Sequence, residues 1–369
     1  MNNITIDKTG WKKWRFDEFA QNISERIEPS QTDLDVYVGL EHIDPDTLHL
    51  SRHGHPSDVE GTKLRFYKGD IIFGRRRAYQ RKTALATTNG ICSAHAMVLR
   101  AKEDVVDPSF FPFLFHSKQF IDIAITISVG GLSPTINWKD ISKQEFLLPP
   151  KSEQKRLAEL LWATDEMIEK EKKVVYKVQG KINLTLSNIL GVCKNGYYSS
   201  KKHESIKVAK VLLNNKFNVG KLDTKDYQEY GLYPIIDQSK NEIAAYSNNK
   251  EYLYNGTLPV LIFGDHTTAI KHVDFPFILG ADGTKILLAN EDIVLTKYLY
   301  YAIQNLNIVP QGYRRHYSIL KDLEIPLLSI ENQKELISQL DTMESLIKQQ
   351  EQVLSISQQL KQKLINKIF

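Results

Sequence analysis

The sequence predicts an α+β protein built from two similar modules, each followed by one long helix. Two observations carry this prediction. Residues 147–190 place apolar side chains at alternating spacings of four and three, which is the 3.5-residue period of a coiled coil. A related stretch returns 179 residues later and ends at Phe369. A self-repeat at so long a period indicates a duplicated module and not a solenoid.

The first long helix is predicted to begin after Pro149 and Pro150, because proline cannot lie inside a helix and disfavours helical backbone in the residue before it. Ser152 is a good N-cap residue and is expected to hold that position. We call the positions that follow this spacing the seam of the helix, and seven of its ten positions are apolar. The seam consists of Leu157, Leu161, Thr164, Ile168, Glu171, Val175, Val178, Ile182, Thr185 and Ile189.

The second long helix keeps this spacing. Its seam consists of Leu336, Leu340, Met343, Ile347, Gln350, Leu354, Ser357, Lys361, Leu364 and Ile368. Two helices of about 38 residues, each about 57 Å long at 1.5 Å per residue, are expected to pair with each other. The alternative is a pair of amphipathic helices that each pack only on their own module. The matching seams favour pairing.

The modules are predicted at residues 1–148 and 195–328, and the helical segments at 149–194 and 329–369. A polar stretch at 195–202 is expected to be a linker. In the first module, strands are expected at 35–40, 63–67, 70–73, 94–100 and 141–148, and helices at 108–117 and 118–127. In the second, strands are expected within 252–263 and 275–288, and a helix at 292–303.

The bulk composition is that of an ordinary globular protein, with 42% hydrophobic and 25% charged residues in a chain of 369. The formal net charge of +4 points to nucleic acid only if the positive charge is clustered. Two cysteines form neither a disulfide framework nor a metal motif. Together with an N-terminus that lacks a signal-peptide core, they predict a cytoplasmic protein.

Positive charge is clustered at two places. Residues 75–82 hold five cations without an acid, and Tyr79 lies among them. A loop of this kind after a buried strand suits phosphates, and an arginine can grip guanine with two hydrogen bonds. Taken alone, it fits a solvated loop equally well. Residues 311–317, in which arginines alternate with aromatic residues after a glycine, shift the balance toward nucleic acid.

The candidate DNA contacts come from these clusters and from two further loops. In the first module they are Arg75, Arg76, Arg77, Tyr79, Arg81, Lys82, Ser133, Thr135 and Asn137. In the second they are His266, Thr267, Thr268, Lys271, Gln311, Tyr313, Arg314, Arg315 and His316.

No complete catalytic set is visible in the sequence. Asp265 and His266 could be read as a metal or acid–base pair, but no second carboxylate follows at nuclease-like spacing. The glycine-rich phosphate-binding motifs are absent as well. We therefore expect neither catalysis nor a bound metal or cofactor in this chain. Two alternatives stay open: a stand-alone DNA-cleaving enzyme that uses Asp265 and His266, and a coiled-coil interaction scaffold that does not bind DNA.

The run LLPPKSEQKRLAELLWATDEMIEK resembles the first conserved spacer of the specificity (S) subunits of type I restriction–modification enzymes. The segments IFGRRRAYQRKTAL and VLIFGDHTTAIKHVDFPFILGADGTKIL are similar to those of the family's target recognition domains. The second spacer departs from the pattern, since Leu327-Leu328-Ser329 replaces the prolines and Asn332 replaces the glutamate.

The resemblance implies that each module is a target recognition domain that reads one half of a bipartite site in double-stranded DNA. The long helices would form an antiparallel coiled coil that sets the gap and docks two methyltransferase (M) subunits. Those partners would hold S-adenosylmethionine and methylate adenine. A restriction (R) subunit that uses ATP and Mg²⁺ could join them.

Overall fold

The computed structural model describes residues 6–194, 197–198, 203–214, 220–310, 312 and 315–369. It divides into two compact units. Unit 1 comprises Met1–Lys173 and Gln352–Phe369, and unit 2 comprises Val174–Glu351. Within the described ranges, no helix is both long enough and apolar enough to cross a bilayer.

The two long helices are confirmed, at Lys151–Leu190 and Ile330–Ile368. The first begins immediately after the proline pair, as predicted, but Ser152 lies inside its first turn and the N-cap prediction was wrong. The reason is that the backbone amide of Gln154 already donates to the carbonyl of Pro150 at 2.9 Å. That hydrogen bond places the start of the helix at the proline itself.

All twenty predicted seam positions are buried or half-buried. In unit 1, Leu157 and Leu161 of the first helix share one apolar cluster with Leu364 and Ile368 of the second. In unit 2, residues of both helices also share a cluster, among them Ile182, Leu336 and Leu340. The predicted pairing of the helices is therefore confirmed within each unit.

Polar contacts at the seam of unit 1 show the direction in which the two long helices run relative to each other. Ser357 Oγ donates to Glu171 Oε1 at 3.2 Å, and the ammonium of Lys361 donates to the carboxylate of Asp165. Residue numbers rise along the first helix as they fall along the second, so the helices are antiparallel here. Because a slipped register would leave these buried groups without partners, the contacts favour one alignment.

The module part of unit 1 contains two four-stranded sheets and one strand pair. The first sheet has the order Ala20–Ile23, Met97–Ala101, Ile71–Phe73, Thr83–Leu85, and all its pairs are antiparallel. The second has the order Arg26–Ile27, Lys63–Phe66, Gly90–Cys92, Tyr37–Val38, and its last pair is parallel. Lys12–Arg15 pairs with Glu145–Leu148. The short helices are Phe16–Phe19, Phe111–Leu114, Lys118–Thr126 and Trp138–Ile141.

The core of unit 1 is rich in phenylalanine. Phe16 contacts Phe19 edge to face at 5.3 Å between ring centroids, and Phe115 contacts Phe120 in the same way at 4.8 Å. Leu161 and Ile368 of the long helices belong to the same cluster. The helix pair and the module of unit 1 therefore share one hydrophobic core.

Within its described residues, unit 2 contains two three-stranded sheets and two strand pairs. One sheet has the order Ala245–Ser247, Tyr233–Ile236, Ile278–Leu279, and the other Ile270–Val273, Val260–Gly264, Thr284–Leu287. Ser205–Lys207 pairs with Glu324–Pro326, and Cys193–Lys194 pairs with Tyr197–Tyr198. The helices of the module are Val208–Val211, Thr296–Asn305 and Tyr317–Asp322.

The regular elements of the modules are shorter than predicted. The strand predicted at 35–40 is only Tyr37–Val38, and the helix predicted at 108–117 is only Phe111–Leu114. In the predicted linker at 195–202, only Tyr197 and Tyr198 fall among the described residues. The domain boundaries at 148, 194 and 328 stay a prediction.

A buried glutamine fastens the start of each long helix to its module. In unit 1, Gln154 Nε2 donates to the carbonyls of Pro149 at 2.9 Å and Val105 at 3.0 Å, and its Oε1 accepts from the amide of Asp107 at 2.7 Å. In unit 2, Gln333 Nε2 donates to Leu328 at 2.9 Å and Ile293 at 3.0 Å, and its Oε1 accepts from Leu295 at 2.8 Å. The internal repeat therefore extends to individual hydrogen bonds.

A second polar contact in unit 1 joins the module to the helix pair. Asp165 is buried between Lys361 and His49, whose Nε2 lies 2.5 Å from Asp165 Oδ2. Burial opposes ionisation of Asp165, but the hydrogen bond from His49 and the charge of Lys361 outweigh it and lower its pKa to about 2. The same hydrogen bond raises the pKa of His49, against the effect of burial.

We expect Gln154→Ala to lower the free energy of unfolding by about 2–4 kcal/mol, because three buried backbone groups lose their partner. Gln333→Ala should have a similar effect in unit 2. Gln349→Ala, at an exposed position of the second long helix, is the matched control and should leave the stability nearly unchanged. Calorimetry measures the free energy of unfolding of all three variants. A Gln154→Ala variant that melts like the control would show that the side chain is dispensable.

The contribution of His49 to stability should depend on pH. Its folded-state pKa lies above its ordinary value of about 6.5, so the stabilisation is complete below that value and is lost as the pH rises through the folded pKa. We expect the difference in melting temperature between the wild type and His49→Asn to be larger at about pH 5.5 than at about pH 9. His53→Asn is the control, because the Nδ1 of His53 lies 3.1 Å from the carbonyl of the adjacent Gly54. A difference that does not change with pH would contradict this role.

Candidate nucleic-acid interface

The structure brings the two predicted parts of the first module together. The arginines follow strand Ile71–Phe73 and run beside the loop at 129–136. Arg77 donates its amide to the carbonyl of Pro134 at 2.7 Å, and Ile136 donates to the carbonyl of Arg75 at 3.0 Å. Residues that lie more than fifty positions apart in the sequence thus form one surface.

Ser133 holds two arginine side chains in place. Its Oγ accepts from Nη2 of Arg76 at 3.0 Å and from Nη2 of Arg77 at 3.2 Å. The loop that carries Ser133 is closed by two backbone hydrogen bonds between Val129 and Thr135, of 3.0 and 2.9 Å. The two guanidinium groups are therefore held against a loop that is itself fixed by hydrogen bonds. This arrangement suits contact with a ligand of defined shape.

The other cations of the cluster have partners inside unit 1. Arg81 forms an ion pair with Asp46 and donates to the carbonyl of His116 at 3.1 Å. Lys82 Nζ donates to the carbonyl of Leu40 at 2.6 Å. Tyr79 is 51% exposed, and Asn137 is exposed as well. The charge available to a ligand is therefore concentrated at residues 75–77.

In the second module the candidate residues follow strand Val260–Gly264. Thr267 Oγ1 donates to the carbonyl of Gln238 at 2.5 Å, and Thr268 Oγ1 donates to that of Ile308 at 3.0 Å. The ammonium of Lys271 is 3.7 Å from a carboxylate oxygen of Asp237, and burial lowers its pKa although this charge opposes the shift. These side chains bind to their own module. His266 is half-buried beside them.

Asp265 and His316 form a structural pair. Asp265 is 3% exposed, and its Oδ1 accepts from the amide of Tyr317 at 2.8 Å at the start of helix Tyr317–Asp322. His316 is 1% exposed, and its amide donates to the carbonyl of Asp265 at 2.9 Å. The carboxylate that motivated the nuclease alternative is thus engaged with the backbone.

The remaining candidates of the second module lie in the loop before this helix. Arg315 is exposed. Gln311, Tyr313 and Arg314 lie outside the described residues.

Sequence reasoning missed His95 and Arg26. His95 Nε2 lies 3.4 Å from Arg76 Nη1, and its pKa is lowered first by burial and then by the charges of Arg76 and Arg75. Arg26 and Arg75 line the same cavity. No local sequence signal could have found these residues, because strands distant in the sequence bring them to the cluster.

An exposed apolar stripe on the helix pair of unit 1 was missed as well. Each of its members directly precedes a seam residue: Leu160, Met167, Val353, Ile356 and Leu360, which are 42–57% exposed. In an antiparallel pair, positions directly before the seam lie on the same side of it. The spacing of seven residues from 160 to 167 and from 353 to 360 was a readable signal.

Residues 11–177 match the family model described as type I restriction modification DNA specificity domain. The type I restriction enzyme EcoDI specificity subunit of Escherichia coli is 29% identical over 191 residues, which cover 50% of this chain and 42% of that relative. The EcoR124I/EcoR124II specificity subunit of Escherichia coli is 36% identical over 84 residues, which cover 22% of this chain and 21% of the relative. The matched parts therefore span less than half of each of these relatives.

The fold is similar to that of solved chains over nearly its whole length. The type I restriction-modification S subunit from M. genitalium covers 100% of this chain, and 97% of that chain is covered, with a TM-score of 0.65 and 14% identity. A chain solved to study complex assembly and conformational transition of the type I R-M system covers 98% of this chain, and 97% of that chain is covered, with a TM-score of 0.57 and 16% identity. The predicted fold class is confirmed by these likenesses.

We expect Ser133→Ala to weaken binding of a random-sequence DNA duplex by about threefold to tenfold, the effect of one or two lost hydrogen bonds. The arginines would keep their charge but lose the acceptor that orients them. Fluorescence anisotropy measures the affinity, and Ser152→Ala, at an exposed site of the first long helix, is the control. An unchanged affinity would mean that the backbone alone positions the arginines.

Proposed function

We propose that the chain is a specificity subunit of the type I restriction–modification family and that it recognises a bipartite DNA sequence on behalf of a methyltransferase. Residues 1–148 and 195–328 would each read one half of the site as target recognition domains. The helical segments at 149–194 and 329–369 would set the gap between the halves. The chain itself would be non-catalytic.

The duplicated glutamine contact is the observation that carries this proposal. Gln154 and Gln333 make matching sets of three hydrogen bonds at the starts of the two long helices. Two modules that are fastened alike to two similar helices suit a ligand with two half-sites, as the geometry of dimeric DNA-binding proteins matches the spacing of their half-sites. The oriented arginines of the first module supply side chains that can grip guanine.

The exposed apolar stripe of unit 1 supports the proposal that the chain works with a methyltransferase. Its five apolar residues lie on helices whose other face is already buried. A contiguous apolar surface of this kind favours a protein partner. We assign it to the M subunits, two of which would bind the chain.

Specificity subunits carry no cofactor themselves. S-adenosylmethionine would be bound by the M subunits, which would methylate adenine, and ATP with Mg²⁺ by an R subunit where one joins the complex. Because its proposed target is DNA, we infer the cytoplasm as the compartment of the chain.

The decisive experiment is co-expression of the chain with its neighbouring methyltransferase, followed by single-molecule mapping of methylated adenines. A split motif with two specific halves and a fixed unspecific gap is the expected result. A continuous methylated site would contradict the two-module assignment. Absence of methylation with a partner that is active alongside another S subunit would favour the interaction scaffold.

Two matched variants extend the same experiment to single residues. Arg76→Ala should relax the sequence of one half-site, and Arg315→Ala that of the other, because each arginine lies in a different module. Loss of one bidentate base contact costs about 1–3 kcal/mol of discrimination. A uniform loss of methylation at all sites would identify the arginine as a phosphate contact.

A further inference from the structure

A cavity of about 330 Å³ in unit 1 is lined by residues of both four-stranded sheets. Three of its lining residues are the cations Arg26, Lys63 and Arg75, and no lining residue is a carboxylate. Of these three, only Arg75 belongs to the predicted basic cluster. The chemistry of the lining selects for an anion.

Two of the three cations have polar atoms without a partner among the described residues. The Nε of Arg75 is buried without a hydrogen bond. The side chain of Arg26 forms no ion pair or hydrogen bond within the part of the chain that the structure describes. Lys63, by contrast, donates to the carbonyls of Glu60 and Gly61. Because a buried donor without an acceptor is costly, folded proteins seldom keep one unless a ligand or water supplies the acceptor.

His95 lies beside the cavity and close to Arg76. His95 lies between Ala94 and Ala96, which both line the cavity. Burial lowers the pKa of His95, and the positive charges of Arg76 and Arg75 lower it further. The charge of Arg76 therefore lies near this edge of the cavity in addition to that of Arg75, which lines it.

The remaining walls suit a sugar–phosphate group. Asn22, Ser24 and Thr62 contribute polar side chains, and Trp138 contributes an aromatic ring. Arg76 directly follows Arg75 in the sequence. Its Nη2 donates to Ser133 Oγ at 3.0 Å. The cavity thus adjoins the braced arginines assigned to the first half-site.

We propose that this cavity binds a backbone phosphate of DNA, with Arg26 and Arg75 as its phosphate contacts and the adjoining deoxyribose against Trp138. The proposal rests on the proposed function and deepens it. It separates Arg75 from its neighbour Arg76: the former positions the duplex, whereas the latter reads bases. A phosphate fixed in this cavity would set the register of the module on the duplex.

Salt dependence of DNA binding tests the proposal. The affinity of the full chain for a random-sequence duplex is measured between about 0.05 and 0.2 M salt for the wild type, Arg26→Ala, Arg75→Ala and Arg75→Lys. Each alanine variant should lower the slope of log K against log salt by up to about 0.9, the contribution of one phosphate, and weaken binding about tenfold at 0.1 M salt. Arg75→Lys should retain most of the slope. Arg156→Ala is the matched control, since it removes the same charge from an exposed site on the first long helix.

The outcomes separate this proposal from the proposed function. Slopes for Arg26→Ala and Arg75→Ala equal to that of Arg156→Ala would overturn the phosphate site while leaving DNA binding intact, and water would then be the partner of Arg75. Relaxed sequence preference without a change of slope would overturn it as well, because it would make these arginines base readers. Since Arg26 is exposed, its variant should fold even if Arg75→Ala does not.

A second arm needs no DNA. Inorganic phosphate, titrated at constant ionic strength, should change the tryptophan fluorescence of the wild type but not of Trp138→Phe or Arg26→Ala. This response in a chain that binds no DNA would uphold an anion site for free phosphate and overturn its assignment to a DNA backbone. No response in a chain whose DNA slopes are also insensitive to Arg26→Ala would overturn the site altogether.

Discussion

The buried amide at the start of each long helix is the contact on which the architecture depends. Gln154 is 1% exposed and Gln333 is fully buried, and each satisfies three backbone groups at the point where a module meets its helix. Glutamine suits this place because one amide offers both a donor and an acceptor. An apolar residue would fill the space but leave the carbonyls of Val105 and Ile293 without their donor. The direction in which each helix leaves its module is thus tied to the backbone and not only to packing.

The polar residues of the seam complement this fixation. A seam made only of leucine and isoleucine would permit sliding by a heptad, whereas Asp165 with Lys361 and Glu171 with Ser357 match in one alignment. A buried ion pair gives little net stability, since both charges lose their hydration. Its effect is on specificity, because every shifted register leaves a charge buried alone.

The sequence predicted the helices well and the modules coarsely. The 3.5-residue period placed all twenty seam positions on the less exposed faces, because amphipathic periodicity is a direct consequence of burial. It did not predict which polar residues meet across the seam, because a repeat shows which positions are equivalent and not which ones contact each other, and in the antiparallel pair Glu171 meets Ser357. The predicted strands were too long, since turns such as that after Val38 depend on contacts remote in sequence, and strands such as Ala20–Ile23 and Tyr233–Ile236 were not predicted. Ser152 was misplaced because the carbonyl of Pro150 accepts the first helical hydrogen bonds.

The candidate interface shows why a run of cations cannot be interpreted from its letters alone. Arg76 and Arg81 are five residues apart in one basic run, yet Arg76 is braced by Ser133 on a surface loop and Arg81 is engaged with Asp46. The difference lies in partners that come from positions 133 and 46, which no local pattern reveals. The same accounting of partners identifies Arg26, an isolated cation in the sequence, as a neighbour of Arg75. A neutral hydroxyl such as that of Ser133 orients an arginine and leaves its charge available to a ligand, whereas a carboxylate such as that of Asp46 neutralises it.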